Sequence, residues 1–184
     1  MERDAAQWTV HGTRRIYQSP WVNLDLDDVE IPGGPRFDHH VVRFARPSVG
    51  ALVVEDDHAL LLWRHRFTTD TWGWEIPAGW LDGTETPVSA IRREIREETG
   101  HDAEEITPLV TYHPMNGITN HRFHLFVATR TRKTAAADPA ESSRVEWLPL
   151  ACLPALIGTG DLHDGPTLTA LTTYLALRDR REAR

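Results

Sequence analysis

The chain has 184 residues, a formal net charge of −7, 40% hydrophobic and 26% charged residues. That length suits one domain with a small extension, and the acidic balance, with no basic stripe, argues against nucleic acid as a partner. The single Cys152 excludes an internal disulfide, no apolar run reaches membrane-spanning length, and MERDAAQWTV carries no apolar signal core, so a cytoplasmic protein with no membrane partner is expected.

Residues 8–46 read as strands. Thr9 to Tyr17 and Trp21 to Ile31 are rich in aromatic and β-branched residues. In the second run Val22, Leu24 and Leu26 alternate with Asn23, Asp25 and Asp27, the pattern of a half-buried strand. Pro32-Gly33-Gly34-Pro35 turns the chain, and Phe37 to Phe44 returns as a hairpin. A hairpin alone is marginal in water, so this one must pack on the main domain or on a second subunit. The expected division is a β extension over 1–46 and a main domain over 47–184.

Ser48 to Glu55 and Ala59 to Arg66 form a second hairpin around Asp56-Asp57-His58. Trp72 to Gly79 leads into a glycine-containing loop and then into a helix. Thr86 is the expected N-cap, Pro87 the first helical residue, and Gly100 the left-handed stop. Ile106 to His113 and Arg122 to Thr129 read as strands, and 131–143 as a mobile polar loop. Val145 to Leu148 reads as a short strand, Leu150 to Ile157 and Pro166 to Arg178 as helices, and the RDRREAR tail as frayed. Trp72 and Trp74 lie outside the obvious core strands. The ten histidines show no zinc spacing.

The chemistry concentrates in the helix after Gly79. Glu94, Glu97 and Glu98 stand at i, i+3 and i+4, which puts three carboxylates on one helical face. Like charges so placed repel, and a divalent cation turns the repulsion into ligation. Carboxylate oxygens suit Mg²⁺ or Mn²⁺.

Gly79, five residues, Glu85, seven residues, Arg93-Glu94-Ile95, then Glu97-Glu98 and Gly100 together resemble the Nudix box. His101 is the one departure, standing where the family has an aliphatic residue that packs beneath the loop. The resemblance implies an α/β fold, an α/β/α sandwich around a mixed sheet. It also implies metal-dependent hydrolysis of a nucleoside diphosphate linked to another group. It makes Glu94, Glu97, Glu98 and the carbonyl of Ala78 metal ligands, and Arg93 the residue that holds the glutamates, with Glu85 as its expected pair.

Glu75-Ile76-Pro77-Ala78-Gly79, Tyr112-His113-Pro114 to Gly117, and Gly160 to Leu171 resemble the ADP-ribose and ADP-sugar pyrophosphatase branch. That resemblance implies ADP-ribose as substrate and a homodimer with exchanged N-terminal extensions. The general base falls on a loop glutamate after the box, here Glu141, with Glu146 as its rival. Arg66, Trp80, Glu85 and Gly117 are the expected substrate contacts. Three alternatives stay open: a pyrophosphatase for another sugar nucleotide such as GDP-mannose, a nucleoside triphosphate hydrolase, and a non-catalytic nucleotide sensor.

Overall fold

The computed structural model describes residues 6–182, with side chains as far as Arg178. It divides into two compact units. The first comprises the chain up to Arg46 together with Met115–His121; the second comprises Pro47–Pro114 and the chain from Arg122 on.

In the first unit β1 (Thr9–Gln18), β2 (Val22–Glu30) and β3 (Arg36–Phe44) make an antiparallel sheet with β2 in the centre. The alternation in β2 is real, and two of its acidic positions are buried ones. Asp25 and Asp27 are buried, while Leu24 and Leu26 are only half-buried. The reason is a web of ion pairs across the ladder. Arg15 and Arg43 both reach Asp25, Arg43 through Nε at 2.9 Å, and Arg43 Nη2 also reaches Asp27, which accepts from the Thr13 hydroxyl at 2.7 Å. The hydrogen bond and charge of Arg15, with help from Arg43, outweigh burial and hold the Asp25 carboxyl below the usual range. Met115–His121, which the sequence reading leaves in the 47–184 domain, packs along β3. Val42 N–H donates to Ile118 O at 2.8 Å, Phe44 N–H to Asn120 Oδ1 at 2.8 Å, and His121 stacks on Phe44.

The second unit is a mixed seven-stranded sheet flanked by helices. Its main path runs β10 (Arg144–Pro149), β5 (His58–Arg66), β4 (Ser48–Glu55), β9 (Phe123–Lys133) and β8 (His101–Tyr112), with β4 parallel to β9 and the other pairs antiparallel. β4 and β5 pair only next to their turn, from Val53–Leu60 to Glu55–His58. Beyond that they splay, and β6 (Thr71–Glu75) and β7 (Ala78–Trp80) fill the gap, β6 on β5 and β7 on β4.

Both faces of β4 are apolar because both are covered. Val49, Ala51 and Val53 pack with Ile91 and Ile95 of α1 (Pro87–Thr99); Leu52 and Val54 pack with Leu153 of α2 (Leu153–Thr159) and Leu171 of α3 (Gly165–Glu182). Trp74 belongs to this second core at 6% exposure, against the expectation that it lies outside; Trp72 is exposed. β8 begins at His101 and β9 continues to Lys133, so the loop expected from 131 starts later. A 3₁₀ turn at Leu150–Cys152 precedes α2, splitting the helix expected over Leu150–Ile157. α3 continues through Glu182, where fraying is expected; the last two residues of that tail lie outside the described residues.

α1 ends as its sequence dictates. Thr86 Oγ1 accepts from Ser89 N–H at 3.1 Å, and Gly100 takes φ 75° with its N–H on Arg96 O. Ile95 is fully buried on the core side of this helix, between the positions of Glu94 and Glu98. Ile95→Ala should therefore cost about 2–5 kcal/mol in denaturant unfolding. Val88→Ala, on the exposed first turn of α1, should cost much less.

Candidate active site

The site is built where β4 and β5 splay. α1 lays its polar face over β7, and Gly79 is the point of closest approach. A Cβ built on Gly79 would overlap the Glu94 carboxylate, so any larger residue here would displace that carboxylate from its place over the strand.

Each carboxylate of the face has its own fixed partners. Glu98 is 3% exposed; its Oε1 accepts from Arg64 Nη2 at 2.8 Å and its Oε2 from Ala78 N–H at 2.9 Å. Arg93 is the hub on the outer side. Its Nε and Nη2 reach the two oxygens of Glu85, each at 3.1 Å. Its Nη1 reaches Glu94 at 2.8 Å and Glu97 at 3.1 Å, and its Nη2 also donates to Trp80 O at 3.2 Å. Arg93 is held firmly protonated, by the Glu85 hydrogen bond first.

Burial pushes the Glu98 carboxyl up to about 7, against the opposing charge and hydrogen bond of Arg64 and the Ala78 N–H. Burial also raises Glu94. The Arg93 hydrogen bond and charge oppose that rise, while the charges of Glu97 and Glu141 reinforce it. Negative charge is thus held here at some cost.

The loop that follows β9 is tied to α1. Thr134 and Ala135 N–H donate to Gly100 O at 2.9 and 3.0 Å, and Asp138 N–H donates to Glu97 O at 3.1 Å. A Cβ on Gly100 would strike the Ala135 carbonyl, so the helix stop and the loop anchor are one requirement. Glu141 lies on this loop, exposed, with its N–H on Asp138 O at 3.2 Å. Ser143 fastens the far end to Trp63 O through its N–H, at 3.0 Å, and its hydroxyl.

Residues 45–171 match the NUDIX domain, and residues 8–42 match the nucleoside diphosphate sugar hydrolase N-terminal domain. The chain belongs to the Nudix hydrolase family. One relative is the CMP-5'-(N-acetyl-N-hydroxy-3-aminopropyl)phosphonate hydrolase of Streptomyces rubellomurinus (strain ATCC 31215), 32% identical over 96% of this chain and 86% of its own. Another is the ADP-ribose pyrophosphatase of Bacillus subtilis (strain 168), 24% identical over 92% of each chain. The crystal structure of an ADP compounds hydrolase shares the fold, with a TM-score of 0.86 and 19% identity over 98% of both chains. The chain is thus a Nudix hydrolase of nucleoside diphosphate sugar type, resembling ADP-ribose pyrophosphatase.

The structure brings Glu94, Glu97, Glu98, Arg93, Glu85, Ala78 and the carbonyl of Trp80 into one cluster, and the charge of Glu141 acts on Glu94. Arg66 turns to Glu75, its Nε at 2.9 Å from Oε1, and that pair occupies its guanidinium. Gly117 belongs to the first unit, where its carbonyl meets His39 Nε2 at 2.9 Å. Glu146 pairs with Arg144 at 3.4 Å. His101 is buried against Trp147, edge to face at 5.8 Å, so the departure from the box is absorbed as packing.

Two residues escape the sequence reading. Arg64 neutralises Glu98, and its signal, an arginine inside the apolar run of β5, is visible only once its inward direction is known. Thr167 of α3 accepts the Ile76 N–H on its hydroxyl at 3.0 Å and donates to the Asp164 cap at 2.7 Å. It is 91 residues away from the backbone it holds.

Nudix hydrolases generally require a divalent metal. The donor set here, clustered carboxylates with burial-raised pKa values and a backbone carbonyl beside them, suits a hard divalent cation. Among the described residues no three His, Cys, Asp or Glu side chains converge as a ligand group. Glu98 is turned to Arg64 and Ala78 N–H, and Glu94 and Glu97 to Arg93.

The raised Glu98 value has a signed consequence for stability. The folded chain binds this proton more tightly than the unfolded chain, whose carboxyl titrates near 4.5. The associated stabilisation is present below that pH and is lost as pH rises through about 7. In chelator-treated protein the unfolding free energy of wild type relative to Glu98→Gln should fall between these limits, by an amount on the order of 1–3 kcal/mol. Denaturant titrations at several pH values read it, and a constant difference would contradict the assignment.

Proposed function

We propose that the chain hydrolyses the diphosphate bond of a nucleoside diphosphate sugar in a Mg²⁺-dependent reaction, with ADP-ribose giving AMP and ribose 5-phosphate. The observation that carries this is the joint presence of the acidic α1 face over Gly79 and an N-terminal segment of nucleoside diphosphate sugar hydrolase type. The ADP-ribose pyrophosphatase relative, matched over nearly its whole length, supports the adenine reading.

In this reading Glu94, Glu97, Glu98 and the Ala78 carbonyl hold Mg²⁺, with Mn²⁺ as the alternative ion. When bound, the ion neutralises the diphosphate and lowers the pKa of the attacking water. Arg93 orients Glu94 and Glu97 from its anchor on Glu85, and so acts by positioning. Arg64 and the Ala78 N–H fix the Glu98 carboxylate. Glu141 takes the proton from the water that attacks phosphorus, a role supported by its charge acting on Glu94 and by the anchored loop that carries it. Arg66, Trp80 and Glu85 are the substrate-side residues of this unit, and Glu85 and Arg66 each also serve an ion pair. A cytoplasmic homodimer belongs to the same reading, supported by the exposed Trp8, Val10, Tyr17 and Trp21 of the first unit.

Glu98→Gln should lower kcat by about 10²-fold or more. Glu141→Gln should lower kcat by about 10²-fold with Mg²⁺ affinity unchanged; a wild-type pH–rate profile in that variant would move the base elsewhere, to Glu146 first.

The Streptomyces relative favours a second reading, in which the nucleotide is CMP linked to a phosphonate. A substrate panel separates the two. ADP-ribose, GDP-mannose, a CMP-linked alkylphosphonate and a nucleoside triphosphate are incubated with Mg²⁺, and the products are resolved. Fastest release of AMP with ribose 5-phosphate supports the first reading, and fastest release of CMP supports the second. No turnover of any compound would leave a nucleotide sensor.

A further inference from the structure

At the opposite end of the splayed strands from Gly79 lies a cavity of about 450 Å³, lined by Glu55, Asp56, His58, His101, Thr131 and Trp147. Glu55 ends β4 and His58 begins β5, whereas the catalytic cluster meets β4 at Gly50, opposite Ala78, and β5 at Arg64. No residue of this cavity takes part in the site described above.

Its wall is made of hydrogen-bond acceptors. His101 Nδ1 lies 3.0 Å from Thr99 O, and His58 Nδ1 lies 2.7 Å from Asp56 O. A carbonyl can only accept, so Nδ1 of both rings carries the proton, and the neutral ring presents a lone pair at Nε2. Burial, helped by the charge of Lys133 opposite it in the β8–β9 register, outweighs the hydrogen bond to Thr99 O and pushes His101 below the ordinary imidazole value. His101 is only 8% exposed, yet its Nε2 has no partner among the described residues. The Asp56 carboxylate has none either, and Glu55 commits only Oε2, to Thr131 N–H. The lining contains no lysine or arginine, and the Trp147 indole adds an aromatic surface.

Two carboxylates, two imidazole lone pairs and an indole call for a cation that donates hydrogen bonds. These donors do not converge as a metal-ligand group, and the cavity has the volume of a small-molecule site. We propose that this cavity binds a small organic cation bearing several N–H donors, an ammonium or guanidinium compound, at a place separate from the catalytic face.

Isothermal titration of the full chain with agmatine, at neutral pH and physiological ionic strength, tests it. Saturable one-to-one binding is expected, at least about tenfold weaker in Asp56→Asn and in His101→Phe. Asp56 sits on an exposed turn at φ 43°, which asparagine tolerates, so this variant keeps the test open if His101→Phe fails to fold. Tetramethylammonium, with the same charge and no N–H, should bind at least about tenfold more weakly than agmatine. The proposal is overturned by an absence of saturable binding at millimolar agmatine, or by binding that Asp56→Asn leaves intact. It is also overturned if Zn²⁺ alone binds one-to-one and loses that binding in Asp56→Asn while agmatine does not bind.

Discussion

Three carboxylates on one stretch of helix repel one another, and the surroundings of α1 are arranged to answer that repulsion. Arg93 spans Glu85, Glu94 and Glu97 on the outer side, and Arg64 meets Glu98 on the inner side. Gly79 brings a backbone in close enough for the Ala78 N–H to take the remaining Glu98 oxygen. Removing one member of the buried Arg64–Glu98 pair would leave a charge without compensation, which is costlier than never having made the pair. The face is therefore held in place by the protein's own groups. The raised values of Glu94 and Glu98 reflect how much negative charge the fold concentrates there.

Much of this was legible in the sequence because the signals are local. The cap at Thr86, the proline after it, the stop at Gly100 and the i, i+3, i+4 spacing all depend on neighbours within a few residues. Long-range partners were not legible. Arg64 looks like a strand arginine until the sheet turns it inward, and Thr167 looks like a helix residue until the fold carries it to Ile76. β2 shows a further limit. Period-two alternation shows that a strand has two unlike faces, and not which of them is buried. Asp25 and Asp27 are covered because flanking strands supply Arg15 and Arg43, a fact contained in the register rather than in β2.

His101 departs from the family pattern at a position that packs beneath the loop. The ring is accommodated by an edge contact to Trp147 and a hydrogen bond to Thr99 O. An aliphatic side chain would fill the same volume but could not leave a nitrogen facing the cavity between the β4–β5 turn and β8. A substitution can keep its packing role and acquire a polar one in the same place.

The Ile76 to Gly79 segment sits in a gap between strands that have parted, so few ladder bonds of its own hold it. One of its amides rests on a hydroxyl that comes 91 residues later in the chain. During synthesis, all the glutamates of α1 leave the ribosome well before Thr167 does. A nascent chain at that stage carries the whole acidic motif and lacks the clamp that fixes the backbone beneath it. Fixing the backbone beneath the candidate site therefore waits on α3, and lesions in α3 around Thr167 should be felt at the strand under α1.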